Sequence, residues 1–269
     1  MTRRIAVVGT SNIGALKYAA GSIALDHPGL SVTFWGLPGG KFAECATDPG
    51  GVFQPLPGDT ETRKLAQRIN GADHLDLTRF DATLVIADTM GLPSVLFVAG
   101  NYDVIDWPPR RGKPLLSEPG FRAAMDEAIA ARADDLARQF RGVAPLYLAR
   151  APYPTTVVTR RGKLRLEPFA SVAGHPEAAR IELLYTEALS RALAERKMAF
   201  VAQPQDTIAA PFLTRPEFGK DAMDFRAAGR VLDDHRHMNA AFGASLFRAF
   251  ALALGPDMTG AAPTPARQE

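Results

Sequence analysis

An open, mostly parallel α/β sheet covered by helices on both faces is the fold class this sequence predicts. Two observations predict it. Short apolar runs rich in β-branched residues stop at glycine, as in "RRIAVVG" and "LSVTFWG". Stretches with apolar residues at helical spacing fall between them. Strands that alternate with helices of this length build open, mostly parallel sheets covered on both faces.

The elements follow in order. "RRIAVVG" (3–9) is a buried-type strand, and residues 12–26 read as a helix with Ile13, Leu16, Ala20 and Ile23 on one side. "LSVTFWG" (30–36) is the second strand. Leu37 to Pro57 is crowded with glycine and proline and reads as loop. "DATLVIAD" (81–88) and "SVLFVAG" (94–100) read as two further strands, parted by a turn at Gly91 and Pro93. In residues 119–141 the spacing of Phe121, Met125, Ile129, Leu136 and Phe140 draws an apolar stripe along a long helix, with Ser117-Glu118-Pro119 at its start. "VAPLYLAR" is a strand. "TTVVTRRGKLRLE" reads as a hairpin excursion (about 155–167) turning at Arg161-Gly162. A helix over 177–197, a last strand in "MAFVAQP" and an apolar helix over 238–254 complete a single domain of residues 1–255. Residues 256–269, low in apolar bulk, read as a flexible tail.

Composition narrows the function. At 269 residues and 46% hydrophobic, the chain can pack a large core near the upper size of one domain. Its 31 basic and 29 acidic residues leave a formal charge of +2, which argues against a nucleic-acid partner. The single Cys45 excludes an intrachain disulfide and a cysteine-based metal site, and the histidines show no metal spacing, so neither metal nor cofactor is expected. The apolar run after Arg3-Arg4 is too short for a secretory leader, and no stretch approaches the ~18 apolar residues of a membrane span. A soluble cytoplasmic protein is the expectation, with oligomeric state open.

Three readings compete for the first βα turn, Gly9-Thr10-Ser11-Asn12-Ile13-Gly14. A phosphate loop needs Gly-Lys-Ser/Thr, but Gly14 is followed by Ala15-Leu16-Lys17. A dinucleotide fingerprint needs a second glycine where Ser11 stands, and an acid at the end of the second strand, where the chain reads "FWGLPGG". The third reading is a nucleophile: a serine at the positive end of a helix, where an oxyanion is also favoured. The blander alternative is an N-cap serine.

A second stretch, Asp234-His235-Arg236-His237-Met238-Asn239, leads into the final helix. A carboxylate three residues before a histidine can hold one ring nitrogen and leave the other free as a base. Here the alternative is a solvated polar loop with an Asn239 cap. Arg236 is a candidate contact for an anionic substrate. Trp35, Tyr102 and Trp107 are candidates for a sugar-stacking wall.

Together the two ends resemble the SGNH hydrolases, also called GDSL esterases. Gly9-Thr10-Ser11-Asn12 is similar to their "GDS" block, and Asp234-x-x-His237 with Asn239 and Gly243 to their "DxxH" block. The resemblance implies a three-layer α/β/α sandwich of flavodoxin-like type and a triad of Ser11, His237 and Asp234. It also implies an oxyanion hole made by the Ser11 amide, a glycine after the second strand (Gly36) and an asparagine after the third. Two positions depart. Thr10 replaces the family's aspartate, a turn-supporting position. Met90 falls where the asparagine belongs, and Asn101, after the run "FVAG", is the substitute donor. The implied activity is hydrolysis or transfer of O-acyl esters, O-acetylated carbohydrate among them. The rivals are a non-catalytic carbohydrate-binding or polysaccharide-assembly relative and a nucleotide-binding domain.

Overall fold

The computed structural model describes residues 2–86, 89–108, 112–158, 167–222 and 236–255. Twelve strands are assigned among them: β1 (Arg3–Gly9), β2 (Leu30–Gly36), β3 (Cys45–Thr47), β4 (Val52–Pro55), β5 (Leu75–Asp76), β6 (Ala82–Ile86), β7 (Asp103–Val104), β8 (Leu115–Leu116), β9 (Leu146–Ala149), β10 (Met198–Phe200), β11 (Ile208–Ala210) and β12 (Leu213–Thr214). Helices α1 (Gly14–Tyr18), α2 (Ala20–Asp26), α3 (Gly39–Ala43), α4 (Thr60–Asn70), α5 (Leu92–Asn101), α6 (Glu118–Gln139), α7 (Glu167–Ala173), α8 (Ala178–Ala194) and α9 (Ala240–Leu254) are assigned among the same residues.

Five strands form the central sheet in the order β10-β9-β6-β1-β2, and every pairing in it is parallel. Chain order therefore reverses at β1, which lies between β2 and β6. Ligands of open parallel sheets gather in the crevice at such a reversal, beyond the carboxyl ends of the strands.

Residues of opposite parity on β1 join different apolar clusters. Ala6 and Val8 pack with Val85, Leu148 and buried side chains of α5, α6 and α8. Ile5 and Val7 pack with Leu84, Ile86 and side chains of α1, α2 and α9. This two-sided burial explains why β1 is apolar without a break from Ile5 to Val8. On α6 the stripe predicted from spacing is the buried one: Phe121, Met125, Ile129 and Leu136. Deleting such a side chain, as in Ile129→Ala, costs about 2–5 kcal/mol.

Several expectations are corrected. The apolar run at 94–100 is not a strand: α5 spans Leu92–Asn101, with Pro93 in its first turn and Gly91 in the left-handed conformation as its N-cap. The first helical stretch is broken into a 3-10 turn (Ser11–Ile13), α1 and α2. The region from Leu37 to Pro57 contains α3 and an antiparallel pair, β3 with β4. Residues 58–80 hold α4, capped by Asp59 and ended by left-handed Gly71. The turn of the expected hairpin, the tail 256–269 and Asp234 lie outside the described residues. Among the described residues, no helix is long and apolar enough to cross a membrane.

Candidate functional site

Ser11 follows β1 directly, in a turn built by its neighbours. The Thr10 amide donates to the Ile86 carbonyl at 3.1 Å, tying the turn to β6. The Thr10 hydroxyl accepts from the Asn12 side-chain amide at 3.1 Å, and the Ile13 amide closes the turn onto the Thr10 carbonyl. Thr10 thus braces the turn that presents Ser11. Gly9 is needed for the tie to β6, because a Cβ there would run into the Ile86 carbonyl.

His237 arrives from the other end of the chain. Met238, beside it, is buried in one cluster with Ile13 and Leu16. Asn239 caps α9 by accepting from the Phe242 amide at 3.2 Å, while its own side-chain amide donates to the carbonyls of Glu217 and Lys220. Four residues on, α9 meets α1 so closely that a Cβ on Gly243 would lie 2.7 Å from the Leu16 amide nitrogen and closer still to the Ala15 carbonyl. Glycine is what permits that approach.

The result is a short contact between residues 226 positions apart: His237 Nε2 lies 2.8 Å from Ser11 Oγ. Both are half-buried and line a cleft of about 550 Å³. That volume is in the usual range for small-molecule sites. The cleft draws on the carboxyl ends of four sheet strands. Thr10 to Asn12 come after β1, Gly39 after β2, Thr89 after β6, and Ala151, Pro152 and Pro154 after β9. Pro93, Phe169 and Arg236 complete it, with Arg236 exposed beside His237. The lining is thus partly apolar (Pro93, Ala151, Pro152, Pro154 and Phe169) and partly polar, with hydroxyl, amide, guanidinium and imidazole groups. A serine hydroxyl that can donate to a neutral imidazole is an activated nucleophile, given a third group to orient the ring.

Two of the three oxyanion donors expected from sequence, Gly36 and Asn101, are not where they were sought. The Gly36 amide donates to Asn70 Oδ1 at 2.9 Å, and Asn70 returns a bond to the Gly36 carbonyl. That amide is committed to holding α4 against β2. Asn101 ends α5, where its side-chain amide donates to the Phe97 carbonyl at 2.8 Å. It lines a separate depression with Phe97, Lys113 and Glu167. Met90 is buried at φ 51°, and its carbonyl accepts from the Tyr185 hydroxyl at 3.1 Å. Its neighbour Thr89 lines the cleft instead.

Gly39 is the glycine of the second βα loop that reaches the cleft. As the first residue of α3, its N–H has no acceptor within that helix. The signals for these two positions were the Pro38-Gly39-Gly40 sequence and the polar residue just before Met90.

The aromatic wall is also corrected. Trp35 is 2% exposed, donates to the Ala72 carbonyl and packs edge-on against Phe53, so it is core. Trp107 is 5% exposed and donates to Glu118, with the Arg180 guanidinium over its ring. Tyr102 follows α5, outside the cleft lining. Of the remaining candidates, His27 packs on Phe247, and burial lowers its pKa. Burial pushes the Cys45 thiol up to about 12, which makes it a poor nucleophile. No cluster of ligating side chains able to hold a metal is found among the described residues.

No protein-family model matches the chain, and no curated protein matches it.

Proposed function

We propose that this protein is a serine-dependent hydrolase or acyl transferase for O-acyl esters, with an SGNH-like three-layer α/β/α architecture. The observation that carries the reading is the 2.8 Å approach of His237 Nε2 to Ser11 Oγ inside an open cleft. In this reading Ser11 Oγ attacks the ester carbonyl while His237 Nε2 takes its proton. Asp234, three residues before His237, holds the Nδ1–H and stabilises the imidazolium. The Ser11 and Gly39 amides and the Thr89 hydroxyl hold the tetrahedral oxyanion. Collapse expels the alkoxide, which takes the proton from His237. Water or an acceptor hydroxyl then attacks the acyl-enzyme, with His237 as base, and Ser11 is released. The apolar lining of Pro93, Pro152, Pro154 and Phe169 faces the acyl group, while Asn12 and Arg236 face the alcohol portion. Small esters and O-acylated carbohydrates are the substrate class.

A second reading, a non-catalytic carbohydrate-binding relative, is favoured by the commitment of the Gly36 amide and the remote place of Asn101. Turnover of an activated aryl acetate separates the two. Ser11→Ala and His237→Ala should each cut turnover by at least about a thousandfold, and the double variant should be little worse, because triad members act as a unit. Additive losses, or no turnover by the unaltered protein on any ester, would favour the second reading.

A further inference from the structure

A second cavity, of about 200 Å³, lies behind the loop that follows β9. Arg150, Tyr153, Glu182, Thr186 and Gln203 supply its polar lining. Arg150 is 6% exposed, and its guanidinium stacks 3.2 Å from the centroid of the Tyr153 ring. One nitrogen donates to the Ala151 carbonyl at 2.7 Å, and a second reaches Gln203 Oε1 at 3.4 Å. A further polar interaction is with the Tyr153 side chain, and Arg150 makes no ion pair among the described residues.

Gln203 cannot satisfy the guanidinium further. Its oxygen already accepts from the Tyr153 amide, and its nitrogen donates to the hydroxyls of Thr207 and Thr214. Burial raises the pKa of Tyr153, so the phenol stays neutral and supplies no counter-charge. Glu182, half-buried on the same cavity, accepts a long bond from the Phe212 amide and interacts with the Tyr153 side chain, and it forms no ion pair among the described residues. Buried charges are costly unless paired. Among the described residues only a neutral phenol interacts with both this guanidinium and this carboxylate, so neither charge is balanced by an opposite one.

We infer that this cavity binds a small zwitterion of the amino-acid type, its carboxylate on Arg150 and its ammonium on Glu182. The space holds about six waters, or one ligand with a similar number of heavy atoms. The mouth is open beside exposed Ala179, Leu183 and Gln205. Arg150 and Tyr153 face this cavity, whereas Ala151, Pro152 and Pro154 of the same loop line the Ser11 cleft. Occupancy therefore alters ester turnover. That coupling rests on the function proposed above, and the binding itself does not.

Calorimetric titration of the full chain with glycine, L-alanine, acetate, methylammonium and inorganic phosphate tests the binding without requiring turnover. Glycine and L-alanine should bind at one site. Acetate, methylammonium and phosphate should each bind at least about tenfold more weakly, as expected when a charge-assisted hydrogen bond is lost. Arg150→Gln should abolish binding. Ala179→Trp, a substitution at the exposed mouth that leaves the core untouched, should do the same with an unchanged thermal midpoint. No heat from either amino acid would overturn the proposal, leaving the cavity to water. So would acetate or phosphate binding as tightly as glycine, or binding that survives Ala179→Trp.

Discussion

Replacing Gly243 with alanine tests how the two halves of the site are held together. In a helix interior, glycine to alanine ordinarily stabilises by about 0.5–1 kcal/mol. At Gly243 the added Cβ would sit 2.7 Å from the Leu16 amide nitrogen, with the Ala15 carbonyl nearer still. An ordinary carbon contact is about 3.5–4.0 Å, so α1 and α9 must separate by roughly 1 Å. Overpacking of this kind costs about 1–3 kcal/mol, and the atoms in the way are backbone, which cannot swing aside. The clash therefore outweighs the gain in helix propensity.

The same shift acts on the chemistry, because α1 follows Ser11 and α9 follows His237. If transmitted in full, it stretches their 2.8 Å contact by about 1 Å, past hydrogen-bond length. A misplacement of about 1 Å costs about a hundredfold in rate. Gly21→Ala is the control: it lies on α2, and a Cβ there meets nothing within 4 Å. Thermal midpoints and initial rates on an activated aryl acetate should show Gly243→Ala less stable and slower, with Gly21→Ala equal to the parent or slightly more stable. A Gly243→Ala protein with unchanged midpoint and rate would refute the reasoning.

Further outcomes follow from the same geometry. Thr89→Val should lower kcat by about a hundredfold with little change in KM, since an oxyanion donor acts chiefly in the transition state. Asn101→Ala, at the exposed end of α5, should leave both within about twofold, as surface changes usually do. For pH, the Thr62 hydroxyl and then its amide hold Asp59 down from 3.8 to about 2. Its contribution to stability is present above the unfolded pKa and is lost as pH falls through the folded one. Thermal melts should therefore show the parent's advantage over Asp59→Asn at pH 5 shrinking steadily toward pH 2.

Much of this architecture was legible wherever an apolar pattern in the sequence coincided with a buried strand or helix stripe. β1, β2, α6, α8 and α9 carry long apolar signals that local rules decode. The helix at 92–101 was misread because "SVLFVAG" is apolar all round, and such a run does not distinguish a buried strand from a buried helix. Proline in the first turn after left-handed Gly91 was the better guide. The misplacement of Asn101 followed from that error, since the end of a strand and the end of a helix point to different parts of the molecule.

Gly36 was lost to a different cause. Its amide is taken by Asn70, 34 residues away, and no local pattern announces such a pairing. Ser11 and His237 were found because each stands in a short polar block at the end of an apolar element. Their meeting at 2.8 Å depends on Gly243, whose importance comes from a contact between helices at opposite ends of the chain.

The central claim is that Ser11 is a nucleophile activated by His237. The most direct measurement is covalent labelling with a fluorophosphonate, followed by mass spectrometry of the digested protein. One phosphonyl adduct per chain is expected, on the peptide that contains Ser11. Ser11→Ala should give no adduct, and labelling of His237→Ala should be strongly slowed. No labelling of the folded parent, or an adduct on another residue that survives Ser11→Ala, would contradict that claim.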